Sequence, residues 1–462
     1  MAEFSKREET EGVNLLRGKP EVAVRKLAVP LMLSMMIISL YNIIDSFWIA
    51  GLGADQLAAV GFVIPLEFLI ISIGTSMGAG ITSVVSKYIG QKNDLMADNS
   101  AIHSVILSII VSIIVTIIFT VFMKELLIFV GARGLAYNYA LEYAHIYFVG
   151  SIFVVMPNAL YGLLRSEGDN KRTMYVMVLC AIINMILDPL FIYTLNMGMF
   201  GAALSTVISL IIVLLVIVYW IYIKKDTYLK PTLKNYQYKP EIFKDILKVA
   251  IPSICEMIFI TFITAIMHFI ILAVSTTDSV AVFENGWRMV TLATEPMMAI
   301  STALISIMAA NYGAQKYENM KIAYNYSMKL GTIIGVLALI IFMVFAPQIA
   351  YLFSYGQTSI RLFKPTVEFF HIFAWFFLVF PGGVISTYMF QGLGKGTMSL
   401  IFTIIREAIC ATVFAIIFGI ILGWGINGVW YGILLGYTIG GLIAIIYANN
   451  YLTKLVKNKT SN

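Results

Sequence analysis

Residues 182–193 read IINMILDPLFIY, an almost entirely apolar stretch that is interrupted by Asp188 and Pro189. A charge in the middle of a membrane helix costs roughly 2.5 to 3.5 kcal/mol on insertion scales, and a proline inside a helix costs about 3 kcal/mol. With its flanks, the stretch forms an apolar run over residues 173–195, which is long enough to cross a bilayer. The sequence therefore predicts a membrane helix that carries an ionisable group, and such a group indicates function.

The composition extends the membrane prediction to the whole chain. The 462 residues are 60% hydrophobic and 12% charged, with a mean hydropathy of +0.88. The core of a water-soluble protein could not bury this much apolar surface. Apolar runs of about 20 residues mark the candidate spans. We predict an all-α integral membrane protein with twelve spans at about 27–52, 57–86, 98–122, 137–163, 173–195, 200–223, 247–275, 279–311, 322–346, 367–391, 397–422 and 427–453.

The distribution of basic residues predicts the orientation. With the amino terminus inside, the external loops contain only Lys124, Arg133, Arg361 and Lys364 of the 31 Lys and Arg residues. Most of the others fall in cytoplasmic loops and at the termini, as the positive-inside rule requires. We expect a multi-pass protein of the plasma membrane with both termini in the cytoplasm. This asymmetry explains the net charge of +6 without any nucleic-acid partner.

Cysteine and histidine residues give no sign of catalysis or metal binding. Cys180, Cys255 and Cys410 lie far apart in apolar stretches, without the spacing of a disulfide framework or a zinc site. An enzyme would need a converging nucleophile and base or a set of metal ligands, whereas the histidines are dispersed over four spans. We therefore predict a protein that is not an enzyme and that needs no cofactor or bound metal.

Matching motifs divide the chain into two similar halves. LAVPLM (27–32) matches VAIPSI (249–254), SKYIGQK (86–92) matches ANYGAQK (310–316), and GDNKRTM (168–174) matches GLGKGTM (392–398), all at nearly the same separation. Six spans per half make the copies parallel, related by a pseudo-two-fold axis along the membrane normal, an arrangement typical of transporters. Duplicated packing without a cavity, as in a channel or scaffold, is the alternative. The predicted domains are a cytoplasmic segment (1–26), an amino-terminal lobe (27–223), a cytoplasmic linker (224–246), a carboxy-terminal lobe (247–453) and a cytoplasmic tail (454–462).

Polar residues inside the first lobe share one depth. Counted from the external ends of their spans at about 1.5 Å per residue, Asp45, Asp188, Tyr143 and Thr206 lie at similar levels. Asn184 precedes Asp188 by one helical turn and lies on the same face. These spacings predict a cluster of carboxyl, amide, hydroxyl and phenol groups in the outer half of the first lobe.

Two acids in a low-dielectric site cannot both ionise cheaply, so they should share a proton or capture a cation. Sodium could be held by Asp45, Asn184, Asp188 and Thr206, whose oxygen atoms suit it. The alternative is that each acid is merely satisfied by neighbouring donors. The second half has no acid at the position that corresponds to Asp188, where it reads CATVFA (410–415). The repeat thus places ion chemistry in one lobe.

Other polar groups are secondary candidates. Glu256 in span 7 could form a second coupling site or be a hydrogen-bonded, snorkelling side chain, and the sequence leaves both open. Asn158 and Tyr41 complete the secondary candidates. Glu67, which follows Pro65, is expected to face a cavity or to pair helices. Arg406 and Glu407 are expected to form salt bridges between helices.

Long ordered motifs resemble the multidrug and toxic compound extrusion (MATE) family over nearly the whole chain. They are LAVPLM, YNIIDSFWIAGLGADQLAAVGF (41–62), RSEGDNKRTM (165–174), NMILDPLFIY (184–193) and GMFGAALST (198–206). The resemblance implies two six-helix bundles of the MATE type, a functional monomer, and export of amphipathic, often cationic small molecules by antiport with H⁺ or Na⁺. The alternative within the same superfamily is a flippase for lipid-linked saccharides, which would need basic groups in its cavity.

The resemblance also implies roles for individual residues. It is closest to the prokaryotic branch in which acids of the amino-terminal lobe carry the coupling. Its coupling acids fall on Asp45 and Asp188, its supporting polar groups on Asn184, Thr206 and Tyr143, and its bend proline on Pro30. The acid that one sodium-coupled branch carries in span 10 is absent, because FFHIFAWFFLVFPGGVISTYMF (369–390) contains none. A sodium site in the second lobe would then retain only Glu256.

Overall fold

The computed structural model describes residues 7–232, 236–354 and 360–460. Residues 1–6 of the predicted amino-terminal segment, 233–235 of the predicted linker and 461–462 of the predicted tail lie outside the described residues. The described elements are all helical, without any strand in these ranges. A chain in lipid must satisfy its backbone polar groups within its own segments, and a helix does so without any partner strand.

The described residues of the first half of the chain form nine α-helices. They are α1 (Glu11–Arg17), α2 (Pro20–Ala50), α3 (Ala54–Gly90), α4 (Asp94–Val121), α5 (Met123–Phe129), α6 (Gly134–Val149), α7 (Ser151–Ser166), α8 (Asn170–Pro189) and α9 (Gly198–Val218). π-helical turns extend α8 over Leu190–Thr194 and α9 over Tyr219–Lys224. The first of these turns begins directly after Pro189, where the missing N–H removes an α-helical hydrogen bond.

The second half contains eight further α-helices within the described residues. They are α10 (Pro240–Val274), α11 (Thr277–Gly313), α12 (Tyr317–Ser354), α13 (Phe363–Phe373), α14 (Phe376–Gly392), α15 (Gly396–Thr403), α16 (Thr412–Ile416) and α17 (Gly425–Thr460). A 3₁₀ turn at Ile360–Leu362 precedes α13, and π-helical stretches follow α15 at Ile404–Ala411 and α16 at Ile417–Ile421.

The predicted membrane spans are confirmed, with a difference in shape at two of them. Ten helices in the described chain are long and apolar enough to cross a membrane, and two bent pairs bring the number to 12. The predicted spans 137–163 and 367–391 are these pairs, with bends of 50° between α6 and α7 and 53° between the Ile360–Phe373 and Phe376–Gly392 segments. Helices α2 and α10 also begin earlier than predicted, because a polar helix start extends beyond the apolar run from which the span was counted.

The chain forms two compact units that broadly follow its halves. The first unit contains Met1–Lys19, Leu33–Ile254 and Ala309–Ala314, and the second contains Pro20–Met32, Cys255–Met308 and Gln315–Asn462. Helices α2 and α10 therefore each contribute to both units. The described part of the predicted linker belongs to the first unit, where Tyr228 and Leu229 are buried.

Small residues hold the first unit together at the contact between α3 and α7. A Cβ atom added to Gly162 would lie 2.4 Å from the carbonyl oxygen of Gly78, so the two backbones approach as only glycine allows. Hydroxyl groups of α3 cross the same contact: Thr82 Oγ1 donates to the carbonyl of Gly162 at 3.1 Å, and Ser86 Oγ donates to that of Ser166 at 2.8 Å. This rigid pair supports the helices that carry the candidate site.

Aromatic side chains fill the core of the second unit. Phe369 and Phe373 of α13 stack with their ring centroids 4.2 Å apart, and Trp430 of α17 meets Phe369 edge to face at 5.1 Å. Phe283 of α11 stacks on Trp430 at 5.6 Å. Such pairs contribute about 0.5 to 1.5 kcal/mol each beyond the burial of their surface.

Candidate functional site

Asp45 of α2 and Asp188 of α8 meet in the first unit. Their carboxyl groups lie within hydrogen-bonding reach of one another. Asp188 is fully buried, whereas Asp45 is half-buried. Two carboxylates offer only acceptors, so a hydrogen bond between them requires a proton on one of them. The pair therefore has the geometry to share one proton.

Donors occupy both oxygen atoms of Asp188. Ser205 Oγ donates to Asp188 Oδ1. The amide orientation of Asn184 that satisfies both of its ends places Nδ2 2.7 Å from Asp188 Oδ2 and 2.9 Å from the Tyr41 hydroxyl. In the same orientation, Asn184 Oδ1 accepts from Thr206 Oγ1 at 3.2 Å and from the Thr206 backbone N–H at 3.1 Å. Asp188 is thus held by donors from two helices as well as by Asp45.

Helical spacing explains how these groups converge. Asn184 and Asp188 are four residues apart on α8, as are Tyr41 and Asp45 on α2, so each pair lies on one helix face. Ser205 of α9 supplies the remaining donor. We name this set of six residues the carboxyl cluster: Tyr41, Asp45, Asn184, Asp188, Ser205 and Thr206. It contains four of the five residues that the sequence predicted, together with the secondary candidate Tyr41.

Tyr143, the fifth predicted residue, has a different partner. Its phenol lies within hydrogen-bonding reach of the Glu67 carboxyl on α3. Its ring stacks on Tyr147 of α6, with centroids 6.0 Å apart. Tyr143 interacts with Asp45 electrostatically, so it borders the carboxyl cluster without a hydrogen bond to the two aspartates among the described contacts.

Asn158 and Pro30 lie outside the carboxyl cluster. Asn158 Nδ2 donates to the carbonyl of Val154 on its own helix, α7, at 2.8 Å. Pro30 is buried within α2, in the stretch Pro20–Met32 that groups with the second unit. The structure therefore does not bring these two side chains to the aspartates, and any role of theirs is indirect.

Glu256 belongs to a separate polar cluster in the second unit. Its carboxylate accepts hydrogen bonds from Thr403 and, at 3.0 Å, from Ser399 Oγ. The buried guanidinium of Arg406 interacts with it electrostatically. Arg406 also pairs with Glu407 at 2.8 Å. The prediction of salt bridges between helices was wrong for this pair, because the two residues are neighbours on one π-helical turn.

The sequence did not predict where two residues, Ser205 and Glu67, lie at the site. Ser205 was missed because counting depth along α9 does not show which way a side chain points. Its signal is the small-residue stripe Gly201, Ser205 and Ser209, whose spacing of four predicts the face that packs on a neighbouring helix. Glu67 was noticed, but nothing in the sequence placed it beside Tyr143. In the described chain, no group of three or more His, Cys, Asp or Glu side chains could hold a metal ion.

Comparison with known proteins gives consistent matches. The MatE family model matches residues 30–190 and 252–421. A FAD transporter of Shewanella oneidensis is 26% identical over 332 residues, covering 71% of this chain and 73% of its own length. The multidrug export protein MepA of Staphylococcus saprophyticus is 23% identical over 427 residues, covering 91% of each chain.

Solved structures agree with the fold. The outward-facing structure of a multidrug resistance MATE family transporter of the MOP superfamily superposes with a TM-score of 0.94 at 36% sequence identity. The match covers 97% of this chain and 100% of that one.

Proposed function

Because the chain belongs to the multidrug and toxic compound extrusion (MATE) family of multi-pass membrane transporters, which are not enzymes, we propose that it exports amphipathic, cationic small molecules by proton antiport. It acts as a monomer in the plasma membrane with both termini in the cytoplasm. The observation that carries the proposal is the close approach of the carboxyl groups of Asp45 and Asp188.

The geometry favours a proton over sodium as the coupling ion. Sodium would need oxygen atoms turned toward it, but Asp188 already accepts from Ser205. In the amide orientation of Asn184 that satisfies both of its ends, the N–H faces Asp188 and the oxygen faces Thr206. A proton between the two aspartates needs no rearrangement of these donors.

The charge of the site favours cationic cargo. Within the described residues, no lysine or arginine interacts electrostatically with the two aspartates. A flippase for lipid-linked saccharides would need basic groups for a pyrophosphate, so the site does not support that alternative.

The cycle follows from the requirement that cargo and proton stabilise opposite states. Protonation of the carboxyl cluster in the outward-open state releases the cation, because the site loses the charge that attracted it. Return to the inward-open state delivers the proton to the cytoplasm and restores the charge. The energy transferred is limited by the difference in affinity between the two states. Pro30 acts as the hinge of α2, just before the point where that helix passes from one compact unit to the other.

Transport by the purified protein in liposomes tests this function. Efflux of ethidium is measured with a proton gradient or a sodium gradient imposed alone. We expect wild-type transport under the proton gradient, and loss of that transport in Asp45→Asn and Asp188→Asn with retention of the folded protein. Undiminished proton-driven efflux in both variants overturns the assignment, and efflux driven only by sodium overturns the choice of ion.

A further inference from the structure

Glu67 is a third acid of the first unit, and it is only partly satisfied. Its carboxyl group lies within hydrogen-bonding reach of the Tyr143 phenol. Its Oε1 atom is shielded from solvent and has no hydrogen-bond partner among the described residues. At about 1.5 Å per residue, Glu67 lies farther from Ala54, the first residue of α3, than Asp45 lies from Ala50, the last residue of α2. Glu67 therefore lies deeper in the membrane than Asp45.

The groups around Glu67 do not supply a positive charge. Asp45 and Tyr41 of α2 and Tyr143 and Tyr147 of α6 are the titratable side chains that interact with it electrostatically in the described chain. An ionised Glu67 would therefore be a half-buried charge with one oxygen shielded from solvent, at most the Tyr143 phenol as a donor, and a like-charged neighbour. Burying a charge without compensation is costly, and an acceptor left without a donor adds about 1 to 3 kcal/mol. A proton on Glu67 removes both costs.

A purely structural role for Glu67 is the alternative. In that role Glu67 would only join α3 to α6 through Tyr143, and a neutral glutamine would serve equally well. The unpartnered Oε1 argues against this, because a buried polar atom in a finished helix contact is normally hydrogen-bonded. An exchangeable group has a reason to keep one oxygen free.

We propose that Glu67 is a second proton-binding group, which acts beside the carboxyl cluster, so that each cargo molecule is exchanged for two protons. Tyr143 is then its positioning residue, which holds the carboxyl at the edge of the cluster. This inference rests on the proposed antiport function and adds the stoichiometry to it.

The number of protons exchanged for each cargo molecule can be read from how steeply the equilibrium accumulation ratio of the cargo rises with the imposed pH gradient. The wild-type protein in liposomes is loaded with ethidium, the membrane potential is held at zero, and the equilibrium accumulation ratio is recorded at several imposed gradients. Each exchanged proton contributes about tenfold per pH unit. We expect about a hundredfold per pH unit in the wild type and about tenfold in Glu67→Gln. Glu142→Gln removes an exposed acid beside Tyr143 on α6 and should match the wild type.

The outcomes separate the two proposals. If Glu67→Gln keeps the wild-type slope while Asp188→Asn loses gradient-driven transport, the second proton site is refuted and the antiport function stands. If Asp188→Asn also keeps its transport, the proposed function itself fails.

A second measurement covers the case in which Glu67→Gln does not fold. Infrared difference spectra after a pH jump report protonated carboxyl groups in the wild-type protein and in Tyr143→Phe. Loss of the phenol should shift the carboxyl band of Glu67 and leave that of the two aspartates in place. Identical spectra overturn the inference.

Discussion

The two compact units each bury acids, but they balance the charge in different ways. In the second unit, Glu256 accepts from two hydroxyl groups and lies in the field of the Arg406 guanidinium. In the first unit, Asp188 has amide and hydroxyl donors and Asp45 lies beside it, without a basic partner for either among the described residues. A fixed counterion cannot leave, whereas a proton can. Under the proposed function, the same duplicated architecture thus gives one unit a permanent charge balance and the other an exchangeable one.

Removal of the fixed counterion should have the largest effect. Arg406→Gln leaves Glu256 and Glu407 buried without a cation, and breaking a buried ion pair costs about 3 to 5 kcal/mol. We expect a corresponding loss in the free energy of unfolding, measured by denaturant titration in detergent micelles. Adding Glu407→Gln to the variant should restore part of the stability. Wild-type stability of Arg406→Gln would show that the second unit does not depend on a fixed cation.

The next test compares two matching turns, one before α8 and one before α15, which begin the matched motifs GDNKRTM and GLGKGTM. Glu167 precedes the first turn, and Gln391 precedes the second. Glu167 Oε2 accepts from the Leu229 backbone N–H at 3.0 Å, and burial raises the pKa of this carboxyl, which lies between two spans, to about 8. The folded protein therefore holds a proton that the unfolded chain, with a pKa near 4.5, releases. Stability from this group is complete below pH 4.5 and is lost as the pH rises toward 8.

Exchanging the two residues should exchange this pH dependence. Each pKa unit corresponds to about 1 kcal/mol, so the effect is of the order of a few kcal/mol. The free energy of unfolding of Glu167→Gln should depend less steeply on pH between pH 4.5 and 8 than that of the wild type, and that of Gln391→Glu should depend more steeply. Equal pH profiles for the wild type and Glu167→Gln would contradict the burial argument.

Transport assays should also distinguish the two units, with a smaller free-energy difference than the two stability tests above. Glu256→Gln keeps acceptor and donor atoms near Ser399 and Thr403, and we expect it to retain proton-driven efflux. Asp188→Asn should reduce that efflux by roughly 5- to 150-fold, the range of a coupling free energy of about 1 to 3 kcal/mol. Vesicle transport under an imposed pH gradient measures both variants. A larger loss in Glu256→Gln than in Asp188→Asn would reverse the comparison.

The smallest effect concerns a place where the halves are alike. A Cβ atom at Gly90 would lie 1.9 Å from the carbonyl oxygen of Ala310, and one at Gly313 would lie 2.0 Å from that of Lys87. Both contacts lie within the first compact unit and join the matched motifs SKYIGQK and ANYGAQK. Gly90→Ala and Gly313→Ala should each lower the free energy of unfolding by about 1 to 2 kcal/mol, because the added atom forces the backbone apart.

Gly61→Ala provides the matched control for these glycine variants. Gly61 lies in α3, and an added Cβ atom would meet no other atom within 4 Å. Its thermal stability in detergent should equal or exceed that of the wild type, since alanine favours a helix over glycine. If Gly90→Ala were as stable as Gly61→Ala, the close contact would not constrain the fold.

Hydrophobic run lengths predicted the helices, because a membrane span depends on how many apolar residues follow one another. They did not predict the bends of 50° and 53° that break two spans, since hydropathy carries no information on the angle of a helix. Helical spacing likewise placed Asn184 and Asp188 on one face, and depth brought Asp45 and Thr206 to the same level.

Depth alone does not fix rotation about the helix axis. This limit explains why Thr206 was chosen while Ser205, its neighbour, donates to Asp188. It also explains why Tyr143 was assigned to the aspartates, although its phenol lies beside the Glu67 carboxyl. The π-helical turn that joins Arg406 to Glu407 has no sequence signature that we recognised.

Proton release on cargo binding tests the central claim most directly, since it reports the exchangeable charge of the first unit. Ethidium is added to the purified transporter in lightly buffered solution below neutral pH, and the released protons are recorded with a pH indicator. Release is expected from the wild type and from Glu256→Gln, and it should disappear in the double variant Asp45→Asn, Asp188→Asn. Undiminished release from that double variant, at unchanged ethidium binding, would contradict the account.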